Sequence, residues 1–383
     1  MTRLLALPIL PGWLTLVRTV RPITVVWSRS SHGKRPVIRW RFKVFDQHLD
    51  VIVTNRVKGW KVKLFIIILG VIALLGCYSA GGKFSLELPS ARVETRTGPG
   101  ADELREETRV VILGTGTPIP DAYRAGPGIA VVHKGETYLF DVGAGTVRNA
   151  TVARYRYDIP SLYPTQICCA FITHMHSDHT LDLMELGYTM WWRRREGLKL
   201  WGPAGMGEMV AGMKATMLPD TRIRSSGTQP LPNAAGNQID FVEIQEGVLL
   251  QKDDLTITAF PVNHGDIKPA FGFKVVTPDK SVVISGDTAF SERLIEEARG
   301  VDILLHEVIS VAGLEKTTAF WQSYHKKAHT TSVDVGRVAM QAKPGLLVLY
   351  HGLYYGTPEE DVISEVRRVF DGPVVLANDL DVF

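Results

Sequence analysis

The chain has 383 residues, 45% of them apolar and 22% charged, which excludes a disordered protein and leaves room for a sizeable core. Three cysteines, two of them adjacent (Cys168, Cys169), exclude a disulfide framework. The net charge of +3 hides an imbalance: residues 1–76 hold 13 Lys/Arg against 2 Asp/Glu, so the remaining 307 carry 30 basic and 38 acidic groups. The larger part is acidic, which weighs against a nucleic-acid-binding surface.

Residues 1–63 form a basic extension with four tryptophans and no clean period. The run LFIIILGVIALLG at 64–76 follows Lys58, Lys61 and Lys63. It is short for a membrane-spanning helix of about 20 residues and suits a signal-peptide core of roughly 7–15. It ends in Leu74-Leu75-Gly76-Cys77, which looks like a bacterial lipobox with Cys77 as the lipidated residue. Uncharged sequence continues to Gly82, so a single-span anchor is the competing reading. A signal peptide should not begin this far into a chain, and one resolution is a downstream start, for example at Val57, with residues 1–56 left untranslated. Either reading expects a membrane-anchored protein outside the cytosol, in a bacterial periplasm or on the cell surface. Residues 78–108 have the composition of a linker.

From residue 109 the pattern is regular. A strand over 110–113 runs into the turn Gly114-Thr115-Gly116-Thr117. Strands over 129–133 and 137–141 read as a hairpin. A helix follows over 145–157, then a strand over 170–172 leading into a histidine cluster. Helical spacing is read over 179–194. Strands are expected over 198–201 and 256–260, and a hairpin over 271–276 and 281–285. The rest alternates: helix 292–298, strand 301–305, helix 332–341, strand 346–350, helix 359–370, strand 374–377. Two sheets packed face to face with helices outside satisfy this order.

The chemistry concentrates in Thr173-His174-Met175-His176-Ser177-Asp178-His179, which holds three of the eleven histidines beside an aspartate. Imidazole nitrogen and carboxylate oxygen suit zinc-like divalent metals. Alternation puts His174 and His176 on one side of an extended segment, and so dense a group of ligands favours two metals over one. His264, Asp287 and His351 each follow an apolar strand, and with the cluster they make five His and two Asp. Asp141 ends another strand and is expected to hydrogen-bond the ligand loop. Trp191 and Trp192 read as core. Phe320, Trp321 and Tyr324 read equally as core or as the wall of an aromatic substrate pocket.

The order HxHxDH, a later His, SGDT and a final His resembles the metallo-β-lactamase superfamily over residues 109–383. LGTGTPIPDAYRAGP, Leu305-His306-Glu307-Val308 and His329-Thr330-Thr331 resemble its ribonuclease Z branch and the arylsulfatase-like relatives. The resemblance implies a four-layer αββα sandwich and two zinc ions, with iron or manganese as alternatives. It implies His174, His176 and His264 on one metal, Asp178, His179 and His351 on the other, and Asp287 bridging. Asp178 is then the residue that orients the nucleophile, His329 the proton donor to the leaving oxygen, and Glu307 the holder of its ring. His306 is kept as a supporting group near the metals.

Members that process transfer RNA resemble this chain in chemistry but carry a long arm between the third-motif histidine and the bridging aspartate. From His264 to Asp287 there is room only for a hairpin. With the acidic balance and the targeting segment, this favours an arylsulfatase-like hydrolase of a small sulfate or phosphate ester. Its expected partners are a small-molecule ester, no nucleic acid and the membrane through the N-terminal segment, and a homodimer is compatible with it. A ribonuclease Z-type phosphodiesterase stands second, and a non-catalytic scaffold last, because no ligand position is missing.

Overall fold

Of the 383 residues, the computed structural model describes 107–383 and the backbone of five strands between residues 4 and 53. The chain divides into two units, Met1–Arg92 and Val93–Phe383. In the first, β1 (Leu4–Ile9), β2 (Gly12–Thr19), β3 (Ser28–Arg29), β4 (Ile38–Val44) and β5 (Gln47–Val53) pair antiparallel in the order β1-β2-β5-β4-β3. This corrects the expectation of no regular period there. In β4, Ile38, Trp40, Phe42 and Val44 alternate with Arg39, Arg41 and Lys43, the repeat of a strand. The apolar run at 64–76, Cys77 and the linker up to residue 106 lie outside the described residues. Among the described residues no helix is long and apolar enough to cross a membrane.

The second unit contains two sheets. β6 (Arg109–Gly114), β7 (Gly128–His133), β8 (Glu136–Phe140), β9 (Cys169–Phe171), β10 (Leu198–Gly202) and β11 (Ile239–Glu243) lie side by side in chain order. The second sheet runs β12 (Gly247–Lys252), β13 (Leu255–Pro261), β14 (Phe271–Val276), β15 (Ser281–Ile284), β16 (Ile303–Ile309), β17 (Leu346–Leu353) and β18 (Val374–Leu376). Each sheet begins with antiparallel hairpins and turns parallel once helices connect the strands.

The inner strands are apolar throughout because both faces are covered, whereas β11 and β12 at the sheet edges are largely exposed. In β6, Val110 and Ile112 join the core between the sheets, while Val111 and Leu113 join the core under the helices. α1 (Thr146–Tyr157), α2 (Leu183–Tyr188) and α3 (Met206–Ser226) cover the first sheet through Val147, Leu186 and Val210. After α4 (Glu292–Glu297), α5 (Val311–Glu315) seats Leu314 in a small separate cluster, and α6 (Ala319–Ala328) follows it. α4, α7 (Ser332–Ala342) and α8 (Glu359–Val366) cover the second sheet through Leu294, Val338 and Val362. The layers are helix, sheet, sheet, helix.

Several elements depart from the expectation. The helix over 179–194 is broken: α2 covers only its middle, and Met190 turns left-handed at φ 48°. Arg194, itself buried, draws this segment in by donating to Ile167 O (2.5 Å), Pro164 O (2.8 Å) and Leu186 O (2.6 Å). α3, α5, α6, β11 and β12 were not anticipated. α3 buries only Met206, Val210 and Met213 over 21 residues and contains Pro219, so its apolar repeat is faint. Cys168 and Cys169 are disulfide-linked to each other, a link that joins no two elements.

Candidate metal centre

The site gathers at the ends of strands from both sheets. Thr173–His179 leave β9, His264 follows β13 and Asp287 follows β15. His351 does not end its strand as expected. It sits inside β17 as a bulge, where Tyr350 pairs with Glu307 and Gly352 with Val308. The bulge residue takes φ 47°, and its extra position turns the ring into the site. Asp141 leaves β8 with φ 57°. Gly143 is required beside it, since a Cβ there would stand 2.2 Å from Asp178 O.

The structure brings His174, His176, Asp178, His179, His264, Asp287 and His351 together, and all but the half-buried His176 are buried. His174 Nε2 and His264 Nε2 lie 2.9 and 3.2 Å from His176 Nδ1. His351 Nε2 and His179 Nε2 lie 3.3 and 3.4 Å from Asp178 Oδ2. Between the two groups, Asp287 Oδ2 stands 3.5 Å from His179 Nε2 and His351 Nε2, 3.8 Å from His264 Nε2 and 4.0 Å from His174 Nε2.

These separations fit metal ligation. Ligands held about 2.0 Å from a tetrahedral ion are about 3.3 Å from each other. Imidazole nitrogens cannot satisfy one another when three converge on one point, and His179 Nε2 and Asp287 Oδ1 are buried with no hydrogen-bond partner. Charge agrees. Burial favours the neutral acid of Asp287, yet His351 and His179 hold its carboxyl well below the usual range. Burial and the neighbouring His179 push the His174 imidazolium well down, leaving a neutral ring able to coordinate. The residues therefore fit two divalent ions that share Asp287.

Supporting contacts orient the ligands. Asp141 Oδ2 accepts from His179 Nδ1 at 2.8 Å and Asp141 Oδ1 from Thr173 N at 2.8 Å. His264 Nδ1 donates to Ala328 O at 2.7 Å. Sequence reasoning missed Thr173, whose N–H and hydroxyl both donate to Asp141, and Ala328, which acts through its backbone carbonyl; only Thr173, directly before the cluster, left a trace in the pattern. His306 donates to Glu307 O at 2.7 Å and forms no hydrogen bond to the seven.

His329 is buried at the C-terminus of α6, with its ring centre 5.1 Å from that of His264. Its donor atom lies within 4.8 Å of those of Asp287 and His351. His329 Nδ1 stands 3.4 Å from Glu307 Oε2, an ion-pair distance without a hydrogen bond. Glu307 instead spends Oε1 on Thr330 N at 2.6 Å, which fixes the backbone beside His329. Burial lowers the His329 imidazolium to about 4, and burial with Asp287 raises the Glu307 carboxyl well above its range.

A profile of the β-lactamase superfamily domain matches residues 136–351. A protein named ribonuclease Z from Mycobacterium sp. (strain KMS) is 31% identical over 276 residues, covering 71% of this chain and 94% of that protein. Two solved structures share the fold. The metallo-β-lactamase fold protein YhfI from Bacillus subtilis has a TM-score of 0.56 at 18% identity, covering 72% of this chain and 98% of that one. Human tRNase Z, short form, has 0.51 at 22%, with the same coverage.

These relatives overturn the arylsulfatase-like, small-ester expectation and, with it, the expected small-molecule partner without nucleic acid. The curated relatives carry the name of the reading placed second, and membrane anchoring gains no support. The chain belongs to the metallo-β-lactamase superfamily, a family of metal-dependent hydrolases, alongside relatives named ribonuclease Z.

Proposed function

We propose that this protein is a binuclear metal-dependent phosphodiesterase of the ribonuclease Z type, acting on RNA. The observation that carries it is the single Asp287 oxygen set among four histidine nitrogens, a bridge between two ligand groups. The named relatives supply the substrate class. His174, His176 and His264 would hold one ion, Asp178, His179 and His351 the other, with zinc the ion best suited to this donor set. When bound, the ions supply a water of lowered pKa and positive charge against the phosphodiester.

The remaining steps belong to the chain. Asp178 orients the attacking water and accepts its proton at a carboxylate oxygen. His329 gives a proton from Nε2, the nitrogen away from Glu307, to the departing ribose oxygen, once the negative phosphodiester beside it raises the pKa of an imidazolium that burial holds to about 4. Glu307 keeps His329 in place through Thr330 N.

The test is a panel of substrates offered to the full chain loaded with zinc: RNA with a 3′-extended transfer-RNA end, an aryl sulfate and an acyl lactone. Cleavage of the RNA with little turnover of the others is expected. Turnover of the sulfate with intact RNA would overturn the proposal.

A further inference from the structure

α6 displays a row of rings that the hydrolytic site does not use. Phe320, Trp321 and Tyr324 are 72%, 48% and 38% exposed. Ring centres step along the helix: Phe320–Trp321 5.6 Å, Trp321–Tyr324 5.6 Å, Trp321–His325 5.6 Å and His325–His329 5.4 Å. The row therefore ends on the proposed proton donor. It is also fixed in place. His264 donates to Ala328 O at the end of α6, and His325 Nε2 is 2.7 Å from Tyr355 Oη. Burial, then the Asp287 and Asp178 carboxylates, raise the Tyr324 phenol above its usual range, so this ring stands within the field of the centre.

Lys326 and Lys327 are exposed on the last turn and make no ion pair among the described residues. Lys327 lies three positions after Tyr324 and so shares its side of the helix. Exposed rings cost solvation in water unless a flat partner covers them, and cations beside them select a partner with an anionic backbone. Nucleobases joined by phosphates meet both conditions, because every base offers a π-face and every linkage a charge.

We propose that α6 carries a base-stacking subsite, in which Phe320, Trp321 and Tyr324 hold unpaired bases next to the scissile phosphate and Lys326 and Lys327 meet the strand's phosphates. This rests on the RNA-cleaving reading. The subsite selects single-stranded segments, since paired bases have no free face.

Two RNAs separate the possibilities, identical except that the unpaired nucleotides within three positions of the cut carry bases or are abasic. With bases present, Trp321→Ala should lose about 5- to 150-fold in kcat/KM, mostly through KM. Trp321→Phe should recover most of the loss. On the abasic RNA, Trp321→Ala and the wild type should be equal. Phe320→Ala, at the most exposed ring, gives the same contrast without touching the core. Equal losses on both RNAs, or no loss on either, overturn the subsite while cleavage of RNA stands. A variant that leaves both rates unchanged but alters the oligomeric state marks the row as a protein interface and also overturns it. A wild type that cuts neither RNA overturns the parent reading, and the subsite with it.

Discussion

Asp141 and His179 form the closest carboxylate–imidazole contact at the centre, with Oδ2 accepting from Nδ1 at 2.8 Å. The bond keeps Nδ1 of His179 protonated and aims Nε2 at Asp287. Although burial opposes charge on this ring, Asp141 and Asp287 hold its pKa well above the usual value. Asp141→Asn should weaken metal affinity about 10- to 100-fold while leaving the fold intact. Chelator competition reads this directly, and unchanged affinity would show that Asp141 serves only Thr173.

Asp287→Ala removes the oxygen that both ligand groups face. The wild type should hold close to two divalent ions per chain and this variant at most one, counted by elemental analysis after dialysis. Two ions retained by the variant would remove Asp287 from the bridge.

His329→Ala should keep both ions, because each ligand group is complete without it: His174, His176, His264 and Asp287 in one, Asp178, His179 and His351 in the other. Its loss should fall on turnover and depend on the leaving group. A nitrophenolate ester should suffer least, and RNA, with a poor alkoxide leaving group, should lose up to roughly 10²–10⁴. Equal losses across a leaving-group series would assign His329 to positioning alone.

Arg194 is a buried guanidinium whose hydrogen-bond partners are backbone carbonyls, and burial brings its pKa down to about 10. Arg194→Met strands three buried acceptors. It should cost about 2–4 kcal/mol in denaturant unfolding with metal binding retained once folded. A change below about 0.5 kcal/mol would mean that water replaces the guanidinium there.

His306 titrates against burial. The fold holds its imidazolium down to about 4, against about 6.5 in the unfolded chain. Between those values the unfolded state binds the extra proton, so this residue's contribution is fully present above about pH 6.5 and is lost as pH falls toward 4. The loss is at most about 1.4 kcal/mol per pH unit across that window. His306→Asn should flatten the acid limb of stability against pH. An unchanged slope would show that His306 does not carry it.

The strand ends were legible because both sheets are covered on both faces, so runs such as Leu304–Leu305 and Val348–Leu349 are unbroken apolar stretches. The seven clustered side chains stood out because ligand chemistry restricts residue types. The bulge at His351 was not legible: nothing in the local sequence distinguishes an extra residue with φ 47° from the end of a strand. The faint repeat of α3 hid a 21-residue helix. The acidic balance misled on partner because net charge averages over the surface, whereas Lys326, Lys327 and the rings of α6 lie on one helix beside the centre.

The most direct measurement is the end chemistry of RNA cut by the full chain, with and without a chelator. Attack by a water that Asp178 orients predicts metal-dependent cleavage that leaves no 2′,3′-cyclic phosphate, and no cleavage after chelation. A cyclic phosphate, which forms when the ribose 2′-hydroxyl attacks, or cleavage that survives removal of both ions, would contradict the assignment of the centre.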